Sequence, residues 1–108
     1  MKIINVSKEI SLNQLLLSIK ENLNATFQKQ RESDINFLVN IVDDVVEISE
    51  PQHYEGFLFR IKINSQELHI TRSEHYVDDV NSLTVESILY RIFEKLSGDK
   101  GVVLVLEG

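Results

Sequence analysis

The sequence predicts an α+β fold in one domain, residues 1–108, with two helices packed on one face of a mainly antiparallel sheet in the order β-α-β-β-β-α-β. Three observations carry this. Two stretches, 11 to about 30 and 84 to 97, repeat their apolar residues at helical spacing between clear start and stop signals. The segment between them alternates apolar and polar residues as strands do. Short apolar runs at Lys2–Val6 and Gly101–Leu106 add a strand at each end.

The first helix opens on Ser11-Leu12-Asn13-Gln14, which has the form of a capping box: the Ser11 hydroxyl accepts from the Gln14 amide, and the Gln14 side chain reaches back to the cap. Ile10 and Leu15 stand where a hydrophobic staple would close over the turn. Leu12, Leu16, Ile19, Leu23 and Phe27 then form one stripe. Residues 35–48 alternate through Ile35, Phe37, Val39 and Ile41 until Asp43-Asp44 interrupts them, which predicts a strand followed by a bulge or tight turn before Val45-Val46-Glu47-Ile48. A helix with Phe37, Ile41 and Val45 on one face competes for the same residues. Beyond Pro51, residues 56–63 place Phe57, Phe59, Ile61 and Ile63 on one face, and Asn64-Ser65 turns the chain into Glu67–Thr71 as a hairpin. In the second helix Thr84 is the expected cap and Leu83 with Ile88 the expected staple. Val85, Ile88, Leu89, Ile92, Phe93 and Leu96 form its apolar face, and Gly98 is a natural stop. The final run, Val102–Leu106, does not alternate, so a strand covered on both faces is expected, interior to the sheet or covered by another subunit.

Composition narrows the function classes. A chain of 108 residues, 43% hydrophobic, is large enough to bury roughly 65% of its unfolded surface and needs no covalent staple. It has no cysteine, which excludes disulfides, thiolate metal sites and cysteine nucleophiles. No apolar run approaches the roughly 20 residues of a membrane span, and the first residues lack a signal-peptide pattern, so a cytoplasmic protein without membrane contact is expected. Asn24-Ala25-Thr26 has the form of a glycosylation sequon but falls inside a predicted helix. The net charge is −6 and uneven: residues 1–30 sum to +2, whereas Arg31 is outnumbered by Glu32, Asp34, Asp43, Asp44, Glu47 and Glu50 over 31–50. Because nucleic-acid affinity rests on neutralising phosphates with Lys and Arg, this balance argues against a nucleic-acid partner.

No constellation points to catalysis, and neither a cofactor nor a metal is expected. His53-Tyr54-Glu55 has the His-x-Glu spacing of zinc deaminases without their cysteine ligands. His69 and His75, with Asp78 or Asp79, are the remaining candidate ligands, and a strand histidine beside a polar loop is the simpler reading. The carboxylates Asp43, Asp44, Glu47 and Glu50 lack a calcium-loop arrangement. With four glycines there is no phosphate loop and no nucleophile elbow.

The pattern points instead to binding. If both helices cover the sheet face bearing Phe37, Val39, Phe57, Phe59, Ile61 and Leu68, the reverse face carries Leu38, Val42 and Leu58 among Arg60, Lys62 and His69. Such a mixture resembles an interface. On the helices, Leu17 and Tyr90 fall roughly 120° to 130° from the centres of their apolar stripes and are expected to face solvent. The expected function is a small acidic protein-binding module, self-associating as a homodimer through Leu38, Val42, Leu58 and Arg60, with Leu17 and Tyr90 as further contacts. The alternative is an acidic inhibitor, such as an immunity protein or nucleic-acid mimic, that offers Asp43, Asp44, Glu47, Glu50 and Glu55 to a basic protein partner.

Two family resemblances concern topology. The helix, three strands and helix of the core resemble a double-stranded-RNA-binding domain, which implies lysines at the start of the second helix; Thr84, Val85 and Glu86 stand there instead, and that departure removes the function. The ends, Lys2–Leu23 and Glu86–Leu106, resemble the barstar-type ribonuclease inhibitors, from which the central β segment departs. A ferredoxin-like sheet with an added strand fits the same element order.

Overall fold

Ser11 starts the first helix as its sequence dictates. Its Oγ accepts from the Gln14 N–H at 3.0 Å while Gln14 Oε1 accepts from the Ser11 N–H at 3.0 Å, so two orphan amides are satisfied reciprocally. In the computed structural model, which describes residues 2–74, 80–98 and 103–107, this helix is α1, Leu12–Arg31. Leu15, Ile19, Leu23 and Phe27 are buried along its inner stripe, with Ile10 buried beside Leu15.

The other elements are β1 (Lys2–Asn5), β2 (Leu38–Val42), β3 (Val45–Ser49), β4 (Phe57–Asn64), β5 (Glu67–Arg72), α2 (Val80–Leu96) and β6 (Val103–Glu107). They form a six-stranded antiparallel sheet in the order β2-β3-β4-β5-β1-β6. The segment expected to be extended thus forms two strands and no helix, starting at Leu38 and not at Ile35, and Asp43-Asp44 makes the tight turn of a hairpin. Both aspartates have positive φ, 51° and 61°, as a two-residue turn between twisted strands requires. The chain gains one strand from this turn, so four strands in a row lie between the helices, one more than in a double-stranded-RNA-binding core. The second hairpin turns one residue later than expected, through Ser65-Gln66, because Asn64 still pairs with Glu67. The apolar final run lies at the sheet edge as β6, beside β1, and not in the interior. Unbroken hydrophobicity reports how the faces of a strand are covered, which is independent of its rank in the sheet.

Helix α2 begins four residues before the expected cap. Thr84 lies within it, and its hydroxyl donates to the Val80 carbonyl at 2.8 Å; Leu83 is exposed instead of stapling the turn. A Thr hydroxyl can satisfy itself on a carbonyl one turn back, so its presence alone does not mark an end. The C-terminus follows expectation. Gly98, at φ 76°, donates its N–H to the Lys95 carbonyl at 3.1 Å, a left-handed geometry that glycine adopts without strain.

One hydrophobic cluster joins the layers: the inner residues of α1, Val85, Ile88, Leu89, Ile92 and Phe93 of α2, and the strand residues Ile4, Val39, Val46, Ile48, Phe59, Ile61, Leu68 and Ile70. Helix α1 packs against α2 and lies over β2 and β3. At its far end Phe27 meets Phe37 edge to face, with centroids 4.9 Å apart, which anchors the entry to β2. Asn24, one turn earlier, accepts from the Phe37 N–H at 2.6 Å and donates to its carbonyl at 2.9 Å. The sequon asparagine is therefore a structural clamp, and Gln28 repeats it at the Ile35 carbonyl.

Candidate functional site

The face of the sheet away from the helices is laid out in rows by the strand registers. Leu38 stands beside Ser49, which faces Phe57; Asn40 stands beside Glu47, then Arg60 and Thr71; Val42 stands beside Val45, and Lys62 beside His69. Five of these residues, Val45, Arg60, Lys62, His69 and Thr71, line a shallow open depression.

The largest correction to the expected surface is Leu58. It is 1% exposed and belongs to the core, while Phe57 takes the reverse face. The cause is a β-bulge: Ile48 pairs with Phe59 and Ser49 with Phe57, so Leu58 is the extra residue of β4. A bulge of one residue inverts the alternation on one side of it, moving side chains to the opposite face. Leu58 is held there by its carbonyl, which accepts from the Ser73 N–H at 2.9 Å. On the reverse face the Arg60 guanidinium lies 3.9 Å from the Phe57 ring centroid, a cation–π stack, and its Nε donates to Glu47 Oε2 at 2.9 Å.

Leu38 and Val42 are where the alternation put them, each 44% exposed, and Ile41 on the opposite side of β2 is 37% exposed. This gathers three large apolar side chains on one strand. Leu17 is exposed too, but on α1 in the helical layer, away from the reverse face. Tyr90 is corrected: it is half-buried against the core, edge-on to Phe93 at 6.2 Å, and its hydroxyl donates to Glu86 Oε1 at 3.3 Å. Burial raises its pKa. Lys2, from β1, pairs with the same Glu86 carboxylate and lies 5.6 Å from the Tyr90 ring centroid. Burial opposes the Lys2 charge, but the bonds to Glu86 and Tyr90 outweigh it and hold the ammonium above the ordinary lysine range. Arg72 approaches the other Glu86 oxygen at 3.7 Å. Tyr90 is thus part of a polar seam between β1 and α2, off the stripe centre because its hydroxyl serves that seam.

The acidic group is also divided. Asp43, Asp44 and Glu55 are exposed, and Glu47 is paired with Arg60. Glu50 is only 2% exposed, which corrects its place in a surface patch. Its Oε1 accepts from the Gln52 N–H at 2.8 Å, its Oε2 contacts His53 Nδ1, and its carbonyl accepts from the Tyr54 N–H at 2.9 Å. The buried carboxylate therefore closes the turn after Pro51. His69 faces Glu67 Oε1 at 3.0 Å; His75, Asp78 and Asp79 lie outside the described residues. Among the described residues no group of three or more histidines and carboxylates is placed to hold a metal, and no helix is long and apolar enough to cross a membrane.

Sequence reasoning did not single out Phe57 or Ile41 as surface residues. Nothing in the sequence announced the bulge that exposes Phe57, whereas Ile41 follows from the position of β2 at the sheet edge. When the chain is compared with models of protein families, with curated proteins and with solved structures, nothing matches.

Proposed function

We propose that this protein is a small non-catalytic protein-binding module that self-associates, and that the contact centres on the β2 side of the sheet. The supporting observation is the grouping of Leu38, Ile41 and Val42, all exposed, on one five-residue strand, with Phe57 on the same reverse face as Leu38. Isolated exposed apolar residues are ordinary; several together on one strand are the usual mark of a surface covered by another chain. Arg60 and Asn40 give the patch the polar surround that such contacts have.

Sedimentation of the native chain across a concentration series tests the reading. A reversible dimer is expected, and Leu38→Glu is expected to shift it to monomer with an unchanged circular dichroism spectrum. A native chain that stays monomeric at high micromolar concentration would overturn self-association.

A further inference from the structure

We infer that two copies of the chain join edge to edge, Leu38–Val42 of one pairing antiparallel with Leu38–Val42 of the other about a two-fold axis at Asn40. This rests on the self-association proposed above and names the surface and register by which it occurs.

The hairpin fixes where the main-chain groups of β2 point. In a hairpin closed by a two-residue turn, the residues flanking the turn exchange both hydrogen bonds, so Val42, Asn40 and Leu38 turn their N–H and C=O groups to β3. Val39 and Ile41 must then turn theirs outward. The same parity carried back to Phe37, the residue before the strand, agrees with its N–H and C=O both being bonded by the Asn24 side chain and not by β3. Among the described residues nothing pairs with the outward groups of Val39 and Ile41. The strand also carries no lysine, proline or register break, the devices that usually blunt an edge.

A second β2 satisfies these groups in a single antiparallel register. With Asn40 opposite Asn40, Val39 faces Ile41 of the second copy and Ile41 faces its Val39, and each pair exchanges two hydrogen bonds. Sliding one way sets Ile41 against Phe37, already occupied by Asn24; sliding the other way sets Val39 against Asp43, whose backbone has left the strand at φ 51°. Shifts by a single residue oppose outward groups to inward ones. In the permitted register the two most exposed β2 residues, Leu38 and Val42, meet across the axis as close, non-hydrogen-bonded neighbours. Ile41 is covered by Val39, and the Asn40 side-chain amides meet on the axis, where each can donate and accept. The acidic turns lie at opposite ends of the pairing and do not confront each other. The contact is small, so the dimer belongs to the weak, reversible class.

Asn40→Cys tests the register, since the native chain has no cysteine and any cross-link reports geometry alone. Opposed non-hydrogen-bonded residues have Cα atoms about 4.5 Å apart, within the disulfide range. Mild oxidation is expected to convert Asn40→Cys to a covalent dimer, whereas Leu38→Cys, opposed by Val42, is expected to stay uncrosslinked. Ile41→Pro removes an outward N–H at an edge position that tolerates proline, and loss of the dimer in sedimentation is expected. If that variant does not fold by circular dichroism, the Asn40→Cys result decides. A chain that dimerises yet stays uncrosslinked at Asn40→Cys, or a folded Ile41→Pro that dimerises as the parent does, overturns the edge pairing and leaves self-association through another surface standing. A strictly monomeric chain leaves the edge to a strand of another protein and overturns both.

Discussion

Leu38 and Leu58 sit in one sheet, each at or beside the start of its strand, yet one is 44% exposed and the other 1%. The difference lies in their neighbours. Leu38 opens an edge strand with one partner and an unbroken register, so its side chain keeps the face that alternation assigns. Leu58 lies in β4, paired on both sides, and there the ladder to β3 slips by one residue while the Ser73 amide holds the Leu58 carbonyl. A central strand has partners on two sides with which to fix an extra residue in place. Face assignment along a strand is therefore only as reliable as the register on both of its sides.

Truncations can break this contrast. Phe59→Ala is expected to have the largest effect, about 3–5 kcal/mol of unfolding free energy, and Leu58→Ala about 2–5, because each empties a fully enclosed site. Phe57→Ala is expected to lower stability by only about 1 kcal/mol, since its ring is only partly buried and is stacked under Arg60. Leu38→Ala should change it by less than about 0.5 kcal/mol in the monomer. Denaturant unfolding of the four variants at one concentration orders them. Equal losses at positions 57 and 58 would show that the bulge does not separate their environments.

The smallest expected effect lies away from both strands, in the Lys2, Glu86 and Tyr90 seam. Both Lys2 and Tyr90 have folded-state pKa values above their ordinary ones. The stability each provides is complete below the ordinary values, about 10, and is lost as pH rises through the raised ones. The melting temperature of the parent should therefore fall more steeply above about pH 10 than that of Lys2→Met. Coincident profiles would show that the Lys2 contact contributes nothing to stability.

Much of the fold was legible because it rests on local rules. The capping box at Ser11, the Ile19, Leu23 and Phe27 part of the stripe and the stop at Gly98 depend on residues within a turn of each other, and each stands where its sequence put it; the first turns differ, with Leu15 buried on the inner line and Leu12 and Leu16, expected there, only partly buried. The bulge at Leu58 depends on β3, β5 and Ser73, distant in sequence, so alternation along β4 misassigned both Leu58 and Phe57. Glu50 was misjudged for a related reason. A carboxylate directly before proline can serve the amides of the turn that follows, and that signal was outweighed by its acidic neighbours. Tyr90 looked misplaced on its helix because its partner Lys2 comes from the other end of the chain. The outward amides of Val39 and Ile41 were implicit in the Asp43-Asp44 turn, but only once that turn was known to have two residues and β2 to lie at the rim.

The Asn24 side chain acts as a ruler. By occupying Phe37 it would limit a chain paired on β2 as proposed to two rungs of ladder, Val39 and Ile41. Because those rungs are consumed symmetrically, a pair of molecules so joined has no free β2 left to recruit another, and growth through this strand halts at two. In such a pair the Asn24 amide would set the length of the ladder, and the two-fold symmetry would set the size at which assembly stops.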